Sequence, residues 1–161
     1  MAEHIPVDKT FKLFIGGTFP RSESGRTFQI HSADGDLLAN AAKASRKDLR
    51  EAVKAARGAQ ADWAGRTAYN RGQVLYRVAE VMESRRAEFI SVLTDMGQTA
   101  HSVRAEVDRS IDRWVWYAGW ADKLHHVLGT VNPVAGPYFN FTFPEPTGVV
   151  VVAAPDDPPL L

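Results

Sequence analysis

The sequence predicts an α/β chain with a small antiparallel β section, a group of about four helices and two late strands. Three observations carry this reading. Before residue 45, apolar and polar residues alternate and Gly16-Gly17 and Gly35 interrupt the runs. From 45 to 128, apolar residues recur at the three-to-four spacing of a helix face. Seven of the nine prolines lie from Pro133 onward, and no helix pattern returns there.

The elements follow in order. Residues 1–10 read as a polar, mobile leader. Phe11 to Ile15 is rich in strand formers and closes on Gly16-Gly17 as a turn. Arg26 to Ile30 alternates, with Phe28 and Ile30 on one face, as a half-buried strand does. Ala33 to Asp36 is a turn, and Leu37 to Ala42 a third strand. A meander of this size needs something to lie on.

Ser45 followed by Asp48 predicts a capping box and the start of the first helix. Leu49, Val53, Ala56 and Trp63 share one face of it, and Gly65 ends it. A second helix runs from about Tyr69 to Glu83 on Leu75, Val78 and Met82. A third starts near Ser84 on Phe89, Val92, Leu93 and Met96, with Gly97 as its C-cap. A fourth runs to about Val127, with Val103, Val107, Ile111, Trp114, Val115 and Ala118 as its stripe and Arg104–Asp108 as an i,i+4 ion pair. Pro133 to Pro137 is a loop. Tyr138 to Phe143 alternates strictly, with Phe139, Phe141 and Phe143 together. Val149 to Ala154 is apolar at every position, the pattern of a strand buried on both faces of a parallel sheet.

Composition excludes several classes. Lys+Arg and Asp+Glu both number 19, so no net field gathers nucleic acid or anionic lipid. The longest apolar run is far too short to span a bilayer, and the start lacks a signal-peptide pattern, so a cytoplasmic chain with no nucleic-acid and no membrane partner is expected. There is no cysteine, which removes disulfides, thiolate metal sites and a cysteine nucleophile. The histidines His4, His31, His101, His125 and His126 have no ligand spacing, so no metal site is expected. Trp114, Trp116, Trp120 and Tyr117 read as core and subunit packing.

Six pieces, in order, carry a family resemblance. They are Phe14-Ile-Gly-Gly-Thr-Phe19; Glu51-Ala-Val-Lys-Ala-Ala-Arg57 with Trp63; Arg77-Val-Ala-Glu-Val-Met-Glu-Ser-Arg-Arg86; Asp95-Met-Gly-Gln98; Tyr117-Ala-Gly-Trp-Ala-Asp-Lys123; and Glu145-Pro-Thr-Gly-Val-Val150. Together they resemble the amino-terminal portion of the NAD(P)-dependent aldehyde dehydrogenase superfamily, over about the first third of a full-length member. The resemblance implies a helical section of the cofactor-binding domain over 45–128, after a β section over 11–44. It implies an oligomerisation-type strand over 138–144 and the first strand of an incomplete Rossmann-like cofactor domain over 145–161.

The resemblance also implies a site. The family's loop after that first strand typically reads Pro-Trp-Asn-Phe-Pro, and its asparagine donates to the oxyanion formed when the thiolate attacks the aldehyde. Here the loop reads Pro155-Asp-Asp-Pro-Pro159, with Asp157 in the asparagine's place. A carboxylate has no hydrogen to donate and repels the developing charge. Asp156-Asp157-Pro158 reads more simply as a helix N-cap. By position alone, Ala153, Ala154, Pro155 and Asp156 would face an NAD or NADP cofactor. The family's glycine-rich turn, cofactor lysine, general-base glutamate and nucleophilic cysteine match nothing in these residues.

The chain is therefore expected to be a truncated or fragmentary member of an oxidoreductase family, holding no cofactor and oxidising no aldehyde alone. A second expectation is a non-catalytic structural module that associates with itself or a full-length family member through Tyr138–Phe143. A third is a non-catalytic paralogue whose complete form keeps the Asp-Asp loop. An unpaired apolar strand at Val149–Ala154 predicts poor solubility, improved by deletion from about Pro144 onward.

Overall fold

The computed structural model describes residues 9–155 and 157–160. The expected leader thus lies, through residue 8, outside the described residues. The elements are β1 (Thr10–Phe11), β2 (Thr27–His31), β3 (Leu37–Ala42), α1 (Arg46–Gly65), α2 (Ala68–Ser84), α3 (Arg86–Asp95), α4 (Ala100–Trp120), α5 (Leu124–Leu128), β4 (Thr130–Asn132) and β5 (Asn140–Thr142).

The front sheet has the order β1-β3-β2. β2 and β3 pair antiparallel, as the alternation predicts, but β1 runs parallel to β3. The strand expected over Phe11–Ile15 contributes only its first residue to the sheet. The next stretch folds on itself: Leu13 N–H donates to Pro20 O at 3.1 Å, and Ile15 and Thr18 exchange bonds of 3.0 and 3.1 Å. Gly16 and Gly17, both at positive φ, make the turn that a tight hairpin needs.

Ser45 caps α1 as predicted. Its side chain accepts from the Lys47 and Asp48 N–H groups, and the Asp48 carboxylate reaches back to the Ser45 N–H at 2.8 Å. Gly65 is the last residue of α1. The expected apolar face is less covered than its spacing suggests, since Leu49 and Trp63 stay exposed at 58% and 42%. Beside α1 lie Gly16 and Gly148, where a Cβ would stand 3.8 Å from Ala55 and 3.9 Å from Gln60.

The core lies between α2, α3 and α4. It consists of Ala79, Met82, Leu93, Val103, Val107 and Ile111, flanked by Val78, Phe89, Ile90 and Leu160. Val103 and Val107 are fully buried, each contributing about 1.5–3 kcal/mol. α2 and α4 approach closely at Gly72, where a Cβ would meet Ala118 O at 2.9 Å.

Several expectations are corrected here. Asp108 pairs with Arg86 of α3, which also grips Glu83 at 2.6 Å, so the predicted Arg104–Asp108 pair does not form. Arg86 reaches across the α3–α4 contact, whereas Arg104 lies on Asp108's own helix. These partners raise the Arg86 pKa, and Arg86 in turn lowers that of Glu83. The fourth helix stops at Trp120: Ala121 and Lys123 bond three residues back, to Ala118 O and Trp120 O, and this tighter turn separates α5. The aromatic cluster does not enter the core. Trp114, Trp116 and Tyr117 are exposed, and Trp116 packs on Tyr117 and Trp120 with ring centroids 4.9 and 5.3 Å away.

β4 and β5 form an antiparallel ribbon with Val131 opposite Phe141. The strand predicted over Tyr138–Phe143 is shorter, and β4 is its partner. Phe139, Phe141 and Phe143 stack along one face, exposed at 74%, 54% and 50%, while Asn132 bonds Asn140 and Thr142 on the other. Val149–Ala154 forms no strand; Val150, Val151 and Val152 are 68–85% exposed. The expected burial needs flanking strands, and among the described residues none pairs with it. No helix among the described residues is long and apolar enough to cross a membrane.

Candidate functional site

The α3–α4 junction is a fixed corner. Gly97 has φ +94, and a Cβ there would stand 2.6 Å from Ala33 Cβ, so both backbone and space favour glycine. Its N–H returns to Thr94 O at 2.9 Å, and Gln98 N–H to Leu93 O at 3.2 Å, closing α3. Thr99 then caps α4 by accepting from Ser102 N–H. This corner and the first turns of α4 border a cleft of about 720 Å³, lined by Gln98, His101, Ser102, Glu106 and Arg109 among others, and by Asp157 and Pro158 from the end of the chain.

The chain reaches that cleft from the Pro-Thr-Gly corner, where Gly148 takes φ +118. Ala153, Ala154 and Pro155 are exposed. Asp156 lies outside the described residues. Asp157 is exposed, and among the described residues no ion pair joins it to Arg109 or His101. Of the helix start expected at Asp156-Asp157-Pro158, the described residues show a bend over 157–159 and no helical turn. In an α-helix an N–H donates to the carbonyl four residues earlier; Leu160 N–H instead donates to Glu106 Oε1 at 2.7 Å.

Glu106 and Ser110 were not singled out from sequence. Their signal is visible in hindsight: Val103, Glu106, Val107, Ser110 and Ile111 occupy one helix face, and all are buried. Two polar residues inside an apolar stripe must have partners. Ser110 shares its one hydroxyl proton between Glu106 O at 2.8 Å and Leu160 O at 3.2 Å.

The cleft collects two carboxylates, a guanidinium, an imidazole and the Gln98 amide, whose Oε1 is buried without a partner. Such a set can hold and orient a polar molecule. The hydroxyls of Thr99 and Ser102 are engaged with each other and with Thr99 O in the cap. Of the residues sequence reasoning placed here, the structure brings Asp157 to the cleft and leaves Ala153–Pro155 outside its lining. These three carry no polar side chain and stand in solvent, so they offer a dinucleotide backbone groups only. Among the described residues, no group of three or more His, Asp or Glu is placed to hold a metal ion.

The family model described as "Aldehyde dehydrogenase family" matches residues 19–161. The chain is 37% identical over 155 residues to aldehyde dehydrogenase family 2 member B4, mitochondrial, of Arabidopsis thaliana, covering 93% of this chain and 28% of that protein. It is similar in structure to a salicylaldehyde dehydrogenase from Pseudomonas putida G7 complexed with salicylaldehyde, with TM-score 0.78, 26% identity, and coverage of 84% of this chain and 28% of that one. It is also similar to PnpE in complex with nicotinamide adenine dinucleotide, with TM-score 0.77, 28% identity, and coverage of 81% and 27%. The chain thus spans less than a third of the length of the relatives it matches.

Proposed function

The chain belongs to the aldehyde dehydrogenase family, and from that premise we propose that it serves as the amino-terminal part of an NAD- or NADP-dependent enzyme that oxidises an aldehyde to a carboxylic acid. The observation that carries this reading is the family match over residues 19–161. These 161 residues contain no cysteine and so supply no thiolate to attack the aldehyde. Ala153–Pro155 offer a dinucleotide only backbone groups, in solvent. On its own the chain therefore binds no NAD(P) and turns over no aldehyde. A cytoplasmic location accompanies this reading.

Asp157 stands at the position of the family's oxyanion donor. As a carboxylate it accepts hydrogen bonds and gives none, so it does not take over the asparagine's work. The experiment is direct: purified chain, a panel of aliphatic and aromatic aldehydes, NAD or NADP, and absorbance at the reduced nicotinamide band. No reduction is expected, and steady turnover by the purified chain would end the reading of an inactive stretch.

A second reading is favoured by the aromatic ribbon. Phe139, Phe141 and Phe143 present a stacked apolar face on the short β5 strand. Such a face suits association with a second copy or with a full-length family member.

A further inference from the structure

We propose that Glu106 and Ser110 are positioning residues that anchor the loop bearing Asp157 by clasping Leu160. Both lie on the buried face of α4, at 5% and 3% exposure. Glu106 is a buried carboxylate with no cation paired to it among the described ion pairs. A buried carboxylate needs hydrogen-bond donors. The donor is the Leu160 N–H at 2.7 Å, a short bond for N–H to carboxylate. Ser110 holds the other side of the same peptide region through Leu160 O at 3.2 Å. Leu160 itself packs against the core between these bonds.

The consequence reaches residue 157. Only Pro158 and Pro159 separate it from the clasp, and proline fixes φ at each. Holding Leu160 therefore holds Asp157 in the lining of the cleft that Arg109 and His101 share. The clasp bridges 54 residues of chain, so it is a tertiary device and not a local turn. Which family position Asp157 occupies rests on the function proposed above; the anchoring stands on its own distances. Glu106 leads and Ser110 assists, because the Ser110 proton is shared with Glu106 O.

Amide hydrogen exchange on the whole 161-residue chain, read residue by residue by NMR, tests the clasp. The wild-type Leu160 amide should exchange at least about tenfold more slowly than a free amide. Glu106→Leu, which fills the space but accepts no hydrogen bond, should abolish that protection and move the Asp157 amide resonance. The Val103 and Val107 amides should stay protected. Glu106→Gln, whose side-chain oxygen still accepts, should restore most of the protection, and Ser110→Ala should lose only part of it. Free-amide exchange at Leu160 in the wild type overturns the proposal, even if Glu106→Leu does not fold. So do a protected Leu160 and an unmoved Asp157 resonance in Glu106→Leu. The aldehyde assay reads the other claim, so failure of that reading and failure of the clasp are separate results.

Discussion

Ser22 Oγ donates to Asp48 Oδ2 over 2.7 Å, joining the loop before β2 to the first turn of α1 across 26 residues. The same carboxylate accepts from the Ser45 N–H at 2.8 Å and the Glu23 N–H at 3.2 Å. One side chain thus starts the helix and ties the β section to it. These donors, the Ser45 N–H foremost and the Ser22 hydroxyl next, lower the Asp48 pKa from 3.8 to about 2, against the burial that raises it.

The stabilisation from Asp48 therefore has a defined pH window. The folded value lies below the unfolded one, so the contribution is complete above 3.8 and is lost as pH falls through about 2. Asp48→Ala should melt several degrees below the wild type at neutral pH, and the gap should close in acid. Thermal scans of both proteins between neutral pH and pH of about 2 check this. A gap that persists at the acid end would place the effect in packing and not in the ionised carboxylate.

Two glycine-to-alanine changes should have opposite signs. Gly58 lies in mid-α1 with nothing within 4 Å of an added Cβ, so Gly58→Ala should stabilise by about 1 kcal/mol through helix propensity. At Gly72 the same Cβ would stand 2.9 Å from Ala118 O. Overpacking of about 1–3 kcal/mol should there outweigh that gain. Urea unfolding of the two variants gives the comparison, and a stabilised Gly72→Ala would mean that α2 and α4 can separate cheaply.

Legibility followed how far each cause lies along the chain. The Ser45 cap, the end of α1 at Gly65, the turn at Gly97 and the bounds of β3 depend on a few neighbouring residues, and all were readable. The parallel pairing of β1 with β3 joins residues thirty apart, and nothing in Thr10–Phe11 marks its direction. Arg86 had nearer carboxylates in sequence, yet it also takes Asp108 because α3 packs on α4. β4 is only three residues long and exists through its partner. At the site, the Pro155–Pro159 loop was legible in its two adjacent acids between prolines. Its anchor was not, because Glu106 and Ser110 lie some fifty residues earlier on a helix read for its apolar stripe alone.

Val107 offers the plainest measure of the core. It is fully buried on α4, and Val107→Ala should cost about 2 kcal/mol. For a chain of this size that corresponds to a fall in Tm of roughly 4–8 °C. Calorimetry decides between this value and a near-zero one, which would mean that the α2–α4 contact is fluid.

The aromatic ribbon should govern self-association. Phe141 lies mid-strand, between Phe139 at 5.4 Å and Phe143 at 5.8 Å, and is 54% exposed. Phe141→Lys places a charge in the centre of that face and should weaken any dimer at least about tenfold. Light scattering on a size-exclusion column, run at several concentrations, follows the mass of both proteins. A wild-type chain that stays monomeric at every concentration would remove the ribbon as an association surface.

Solubility separates two roles within the last stretch. Val150, Val151 and Val152 stand in solvent on an unpaired segment, which favours strand addition between chains. Deleting everything from Pro144 would remove that segment, but also Leu160, which packs on the core and satisfies Glu106. A charged pair, Val150→Lys with Val152→Glu, should raise the soluble yield without touching the clasp. The deletion should instead lower Tm, because the Glu106 carboxylate loses its donor. Soluble yield and Tm measured together on both variants distinguish the causes. If the deletion is as stable as the full chain, Leu160 contributes nothing to the core and the exposed valines alone set the behaviour of this stretch.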